Sequence, residues 1–398
     1  VSTERLRTFL PSASYRSKML LVLALGWATL QGGRFLLPPL LPPITAEFSL
    51  SSGAAGLALT AFGLVYAVTQ YPSGTYSDSL SRATLILPGF LVLLVGFVLT
   101  GLSPTAAVFV LALLALGAGK GLFASPSRAL LGDLFTSTRG RALGIYSAGT
   151  DLGGLLAAGL AAFVLATTVW RVAFVPVVFV LAAVTALFVV WNRDAYTIER
   201  VPLTPGETLR RILATPAQRE RLLAYSLFYF VVGGLTNFYP LLLVENGGFS
   251  AARASGVFAL LFAVGIVVKP TAGEVSDRYP RLLVSILSLL IGAAGLAIII
   301  LGTSLPAVAL GTVLASIGYK TQFPIADAAV IEAAPEGSVG GDLGAARAVF
   351  LTANALGPGF VGLVADAADF AVAFWILAGT LVLAAAVLTR QYRRSVSG

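Results

Sequence analysis

The sequence predicts an all-α polytopic membrane protein, with twelve transmembrane helices in two pseudo-symmetric six-helix halves. Three observations carry this. Of the 398 residues, 57% are hydrophobic and 11% charged, against about 25% charged in an average soluble protein. Apolar runs such as Leu85–Thr100 and Ala371–Thr389 are long and unbroken. They suit membrane helices of about 20 residues and not the alternating strands of an outer-membrane barrel. The basic residues, finally, sort to one side of the resulting topology.

Composition excludes several classes outright. There is too little polar surface to clothe a soluble core, and disorder needs the opposite balance. With no Cys and no His, disulfides, thiol catalysis, His-ligated zinc and a His proton relay are absent, and any proton coupling falls to Asp or Glu. A membrane enzyme would lack its usual nucleophile–base pair or metal cluster. No cofactor is expected. The net charge of +8 reads as cytoplasmic loops obeying the positive-inside rule rather than as a nucleic-acid surface.

The runs between loop signals place spans at 19–41, 54–75, 83–102, 105–131, 142–166 and 171–191. Six more follow at 222–244, 251–272, 281–302, 305–331, 343–365 and 370–389. The first run follows Arg5, Arg7, Arg16 and Lys18, is too long for a signal-peptide core and has no small-residue cleavage site after it. With both termini inside, only Arg171 and Arg253 fall in outer loops. Arg34, Lys120, Arg128, Lys269, Lys320 and Arg347 fall within spans, and the other 18 of the 26 basic residues lie on the cytoplasmic side. This predicts a multi-pass protein of a prokaryotic cytoplasmic (inner) membrane.

Residues 192–221 form the one long polar stretch and divide the chain into an N-terminal half, 1–191, a linker, and a C-terminal half, 222–398. Within the linker, Thr204-Pro205-Gly206-Glu207 has the pattern of a capping box with Pro at the first helical position. Leu209, Ile212 and Leu213 would share an apolar face, with Arg210 and Arg211 toward headgroups. Thr215-Pro216-Ala217-Gln218 repeats the signal at the opening of the seventh helix.

The halves repeat one another. Gly74, Asp78 and Arg82 follow the second span with the spacing of Gly273, Asp277 and Arg281 after the eighth. Gly32-Gly33 and Pro39 match Gly233-Gly234 and Pro240; Lys120 matches Lys320, and Asp133 matches Glu332. Such matches, in order and at near-constant offset, indicate a duplicated six-helix unit. Two such units around a mid-membrane site are the plan of a secondary transporter.

These residues resemble the major facilitator superfamily. Its loop between helices two and three reads roughly G-x-L-x-D-R-x-G-R-[RK], and Gly74, Asp78 and Arg82 match it, as do Gly273, Asp277, Arg278 and Arg281 in the second half. Asp133-Leu-Phe, with Arg139-Gly140-Arg141-Ala-Leu-Gly144, is similar to the family's helix 4–5 junction. Leu113 stands where the family's helix-four Arg would fall, and Gly149-Thr-Asp151-Leu-Gly153-Gly154 lacks the antiporter Gly-Pro. Symport and antiport, import and export therefore stay open. The resemblance implies alternating access by a monomer in the lipid bilayer, moving a small-molecule substrate with protons or another coupling ion. It also implies a conformational latch at the cytoplasmic helix ends, from Asp78, Arg82 and Asp133 and from Asp277, Arg281 and Glu332.

The charges inside the spans are the candidate site, since each costs about 2.5–3.5 kcal/mol to insert and normally faces protein or a water-filled cavity. Arg34 lies about 15 residues past Lys18, roughly 22 Å deep. With Lys120, Lys320, Lys269 and Asn237 it forms the expected substrate-binding set. Arg128 and Arg347, within about two turns of their helix ends, read equally as snorkelling or as cavity residues. Asp327 and Asp151, the acids well inside the spans, are the proton-coupling candidates, or else partners of Arg128 and Lys320. Tyr66, Tyr225, Tyr229, Tyr239, Tyr319, Gln322 and Asn354 add hydrogen-bonding capacity. Six basic residues against two acids favour an anionic organic solute. A drug or metabolite exporter, and a membrane sensor that binds without transporting, are the alternatives.

Overall fold

The computed structural model describes residues 14–197, 206, 210, 213–333 and 339–397; side chains at 71, 78, 79, 327, 330–333, 339–344 and 395–397 lie outside that description. The described residues form twelve long α-helices and one short 3-10 turn. In chain order these are α1 (Tyr15–Phe48), α2 (Ser52–Ser79), α3 (Arg82–Leu102), α4 (Ala106–Leu134), α5 (Arg139–Thr167) and α6 (Phe174–Trp191). The second half supplies α7 (Pro216–Glu245), α8 (Ala251–Arg278), α9 (Arg281–Leu301), α10 (Leu305–Ala333), α11 (Val339–Ala367) and α12 (Phe370–Ser397). Most of the amphipathic segment expected from Thr204 to Leu213 falls outside the described residues.

Ser and Thr set many of the starts. Ser51, Ser81, Thr105 and Ser250 each accept a backbone N–H from the first turn, which satisfies a donor that lipid could not. Thr215 and Gln218 close the expected capping box at the start of α7, with Pro216 in the first turn. Eleven helices are long and apolar enough to cross a membrane. The twelfth, α10, has the length, 29 residues, but carries Lys320, Thr321 and Gln322, all buried. These polar side chains face protein, while Leu305 and Leu310 lie exposed on the outside of the bundle.

The start of α1 meets the end of α6, where the Lys18 ammonium lies 5.4 Å from the Trp191 ring. The start of α7 meets the end of α12 through Arg394 and Glu220, 3.0 Å apart. This end of the bundle is called proximal. At the distal end Glu47 accepts from Trp170 Nε1 (2.7 Å) and Arg171 (2.6 Å), and Arg171 also donates to the Ser103 carbonyl (2.8 Å).

The duplication is visible in the packing. Gly96 lies on Leu116 and Gly295 on Ala315; Gly119 lies on Leu93 and Gly89, and Gly318 on Gly292 and Ser288. Thus the α3–α4 pair repeats as α9–α10 at an offset of 199 in every contact. Gly32 meets Gly153 as Gly233 meets Asn354, so α1–α5 repeats as α7–α11 at 201. Where two helices touch this closely, only a missing Cβ permits the approach. A Cβ on Gly153 would meet the Gly32 nitrogen at 2.9 Å, whereas one on Gly159 would meet nothing within 4 Å. Gly153→Ala is therefore expected to lower the thermal unfolding midpoint in detergent, by overpacking worth about 1–3 kcal/mol. Gly159→Ala is expected to leave it unchanged or raised.

The halves meet along two seams, α2 with α11 and α5 with α8. At the distal end Gly53 N–H donates to Asp366 (2.9 Å), Gly359 N–H to Thr60 (2.9 Å), and the Ser255 hydroxyl to the Ala158 carbonyl (2.7 Å). Phe35 of α1 packs edge-on against Phe262 of α8, centroids 4.5 Å apart. Toward the proximal end the described charge pairs stay within a half. Arg82 binds Asp133 (3.1 Å), and Arg281 binds Asp277 (3.1 Å). Arg82 also donates to the Ser77 carbonyl and hydroxyl. The side chains of Asp78 and Glu332, named with these as a latch, lie outside the described residues.

Candidate functional site

Between the halves lies a cavity of about 400 Å³, within the range of small-molecule sites. Every one of α1, α2, α4, α5, α7, α8, α10 and α11 contributes to its wall. Among the sequence candidates, Arg34, Lys120, Lys269 and Asn237 line it. Arg128 and Arg347 line it too. For these two the snorkelling alternative gives way, because the helix face they occupy turns inward.

Three of these cations have an uncommon environment. Lys120, 8% exposed, has its ammonium 4.4 Å from the Tyr66 ring centroid, 5.7 Å from Phe62 and 5.9 Å from Trp27. Arg128 lies 4.9 Å from the same Trp27 ring and 5.7 Å from Tyr146. Arg34 lies 4.6 Å from the Phe35 ring. None of the three has a hydrogen-bonded or carboxylate partner among the described residues. Aromatic faces hold a cation without cancelling its charge. All three line the one cavity, so the N-terminal half presents a cluster of like charges to it.

Lys320 lies elsewhere. It is fully buried behind the wall, 4.3 Å from the Tyr319 ring and 4.9 Å from Phe262, and donates to Asp151 Oδ1 at 2.8 Å. The expectation that it contacts substrate as the counterpart of Lys120 is corrected by the register. At the observed offset of 199, Lys120 corresponds to Tyr319, which does line the cavity, and Lys320 to Gly121. One residue turns a helix face by about 100°. Asp151, 2% exposed, also accepts from Lys269 through Oδ2. Asp151 is thus a bridge from α5 to both α8 and α10, joining the halves at mid-height. The Asp327 side chain lies outside the described residues, so neither its pairing with Arg128 nor a proton role is placed by geometry.

Of the hydrogen-bonding candidates, Tyr66, Tyr229, Tyr319, Asn237 and Asn354 line the cavity. Tyr225, Tyr239 and Gln322 serve the packing instead. Tyr239 bonds Thr312, Tyr225 reaches Ser285 (3.4 Å), and Gln322 donates to the Ser285 carbonyl (2.8 Å) and Ser288 (2.7 Å). The sequence reading passed over Gln31, Gln70, Trp27 and Phe350, which line the cavity. The two amides had a signal available: Gln within an apolar span is itself an intramembrane polar residue.

Comparison with known proteins gives concordant results. A family model described as Major Facilitator Superfamily matches residues 23–269 and 221–397. A hexuronate transporter of Bacillus subtilis (strain 168) is 24% identical over 386 residues, covering 90% of each chain. A probable sulfoacetate transporter of Cupriavidus necator is 26% identical over 254 residues, covering 60% of this chain and 59% of that one. Among solved structures, a bacterial homolog of the human lysosomal transporter Spinster, in an inward-facing and occupied conformation, superposes with a TM-score of 0.82. It is 21% identical, and the match covers 96% of this chain and 98% of that one.

Proposed function

The chain belongs to the Major Facilitator Superfamily, a family of transporters rather than enzymes, and on that premise we propose that it is a secondary transporter of a small organic anion. The observation that carries the proposal is the trio Arg34, Lys120 and Arg128, which face a shared cavity with aromatic rings for support and no described carboxylate. A net positive cavity of low dielectric concentrates anions and rejects cations. The names of two of the relatives, for hexuronate and sulfoacetate, are those of organic anions and support the same class.

The proposed mechanism is alternating access by a monomer in a bacterial-type inner membrane, with both termini cytoplasmic. In that orientation the sealed distal end, with Gly53–Asp366 and Gly359–Thr60, is the outer face. Opening outward requires these bonds to part and the proximal ends to close. A proton gradient is the proposed drive, with Asp327 or Asp151 carrying the proton; the support is their depth in the spans. The latch role of Asp78, Arg82, Asp133, Asp277, Arg281 and Glu332 belongs to the same proposal. It rests on the family resemblance and on the two Arg–Asp bonds that lie within the halves.

The test is a thermal-shift series on the purified protein with anionic, neutral and cationic solutes of matched size. Anions are expected to raise the midpoint, by about 2.7 kcal/mol of stabilisation at a hundredfold excess over the dissociation constant, while lipophilic cations leave it unmoved. Stabilisation by cations alone overturns the anion reading and favours a drug exporter. Uptake into proteoliposomes, with and without a protonophore, then separates transport from mere binding and tests the proton drive.

A further inference from the structure

The uncharged part of the cavity wall has its own polarity. Asn237 donates its side-chain NH2 to the Gly233 carbonyl (2.8 Å), and Asn354 donates its own to the Tyr229 carbonyl (3.0 Å). A carbonyl oxygen only accepts, so these bonds fix which way each amide points. Each NH2 is held to backbone through one of its two hydrogens, and the Oδ1 atoms, with no described partner, remain as acceptors on the C-terminal half. Thr236, also on this wall, donates its hydroxyl to the Val232 carbonyl. Across the cavity, Gln31 and Gln70 are 5% and 8% exposed, and their Oε1 atoms are buried without a partner. Atoms buried in this way are out of reach of a ligand in the cavity, so the accessible acceptors are those of Asn237 and Asn354.

The wall therefore combines a cationic cluster on the N-terminal half with amide acceptors on the C-terminal half. We propose that the substrate is a hydroxy-carboxylate: an anionic head held by Arg34, Lys120 and Arg128, and a hydroxylated body donating to the amide oxygens of Asn237 and Asn354. A plain alkyl carboxylate would satisfy the cations and leave the acceptors unpaired. An ammonium could donate to them, but it would enter a cavity that already holds five basic side chains, Arg34, Lys120, Arg128, Lys269 and Arg347, and that field opposes it. The inference rests on the anion reading above.

The experiment measures dissociation constants by titration calorimetry on the full purified chain for four probes that share a six-carbon chain. Gluconate has a carboxylate and five hydroxyls, hexanoate the carboxylate alone, sorbitol the hydroxyls alone, and 6-aminohexanoate an ammonium at the far end. Gluconate is expected to bind at least about tenfold tighter than hexanoate, the equivalent of one to two net hydrogen bonds, and sorbitol and 6-aminohexanoate weakest. In Asn237→Ala and in Asn354→Ala, gluconate affinity is expected to fall about threefold to tenfold while hexanoate affinity holds, a pattern that a general loss of folding would not give. Hexanoate binding as tightly as gluconate overturns the hydroxyl inference and leaves the anion reading standing. Preference for 6-aminohexanoate replaces it with a zwitterion. Binding of sorbitol with none of the three carboxylates overturns the anion reading itself. Should either variant fail to fold, the wild-type series decides alone.

Discussion

Arg34→Ala and Lys120→Ala are each expected to abolish measurable anion binding while leaving the empty protein as stable as before, or more stable. The two halves of that expectation have one cause. A buried cation with a carboxylate partner is held by the fold, and removing it leaves the partner stranded at a cost of about 3–5 kcal/mol. Arg34 and Lys120 have no such partner among the described residues; Lys120 is held by Tyr66, Phe62 and Trp27 and repelled by its neighbours. In the empty protein the burial of Lys120, and the partial burial of Arg34, is a standing cost that alanine relieves. In the bound protein each is the counter-charge of the substrate, and truncating one partner of a buried charge pair costs about 2–5 kcal/mol, a loss of thirtyfold or more. Calorimetric affinity and the thermal midpoint of the same variants check the two halves together. A lowered midpoint in the empty variant would mark these residues as structural and remove them from the site.

The limits of the sequence reading follow the same physics. Depth along a helix is legible from sequence, because rise per residue is constant. That is why Arg34 and Lys120 stood out, and why the spans and the duplication could be read. Which face a residue occupies depends on register to within one position. Lys120 and Lys320 match at an offset of 200 in the sequence, but the packed glycines of α3–α4 and α9–α10 repeat at 199. That single residue sends Lys120 to the cavity and Lys320 to Asp151. Arg128 and Arg347 were ambiguous for the same reason. Distance from a helix end permits snorkelling, and only the neighbouring helices show that the side chains turn inward. The amide orientations of Asn237 and Asn354 had no sequence signal at all, since their partners are backbone carbonyls.

The bridge at Asp151 shows how such a register shift acquires a consequence. One carboxylate, 3% exposed, serves two lysines, Lys269 at 27% and Lys320 at 0%, and ties the N-terminal half to α8 and α10 of the other. The group carries a net single positive charge, with the surplus nearest the cavity, on Lys269. Lys320→Met should be mild, because the remaining lysine and carboxylate still pair one to one and a methionine fills the same slot. Asp151→Asn should be severe. It leaves two ammonium groups sharing a neutral amide, one with no route to water, and breaking a buried pair this way costs about 3–5 kcal/mol. Adding Lys320→Met to Asp151→Asn should recover most of that loss, because the lysine that remains lines the cavity and can be hydrated there. Thermal midpoints for the four proteins test this order, and a double variant as unstable as Asp151→Asn would show that the carboxylate acts through something other than Lys320. The recovered double variant has a second use. It is a folded protein without the Asp151 carboxylate, so proton-driven uptake that survives in it removes Asp151 as the proton carrier and leaves Asp327 as the candidate, and uptake lost in it but kept in Lys320→Met, with anion binding intact, assigns the proton to Asp151.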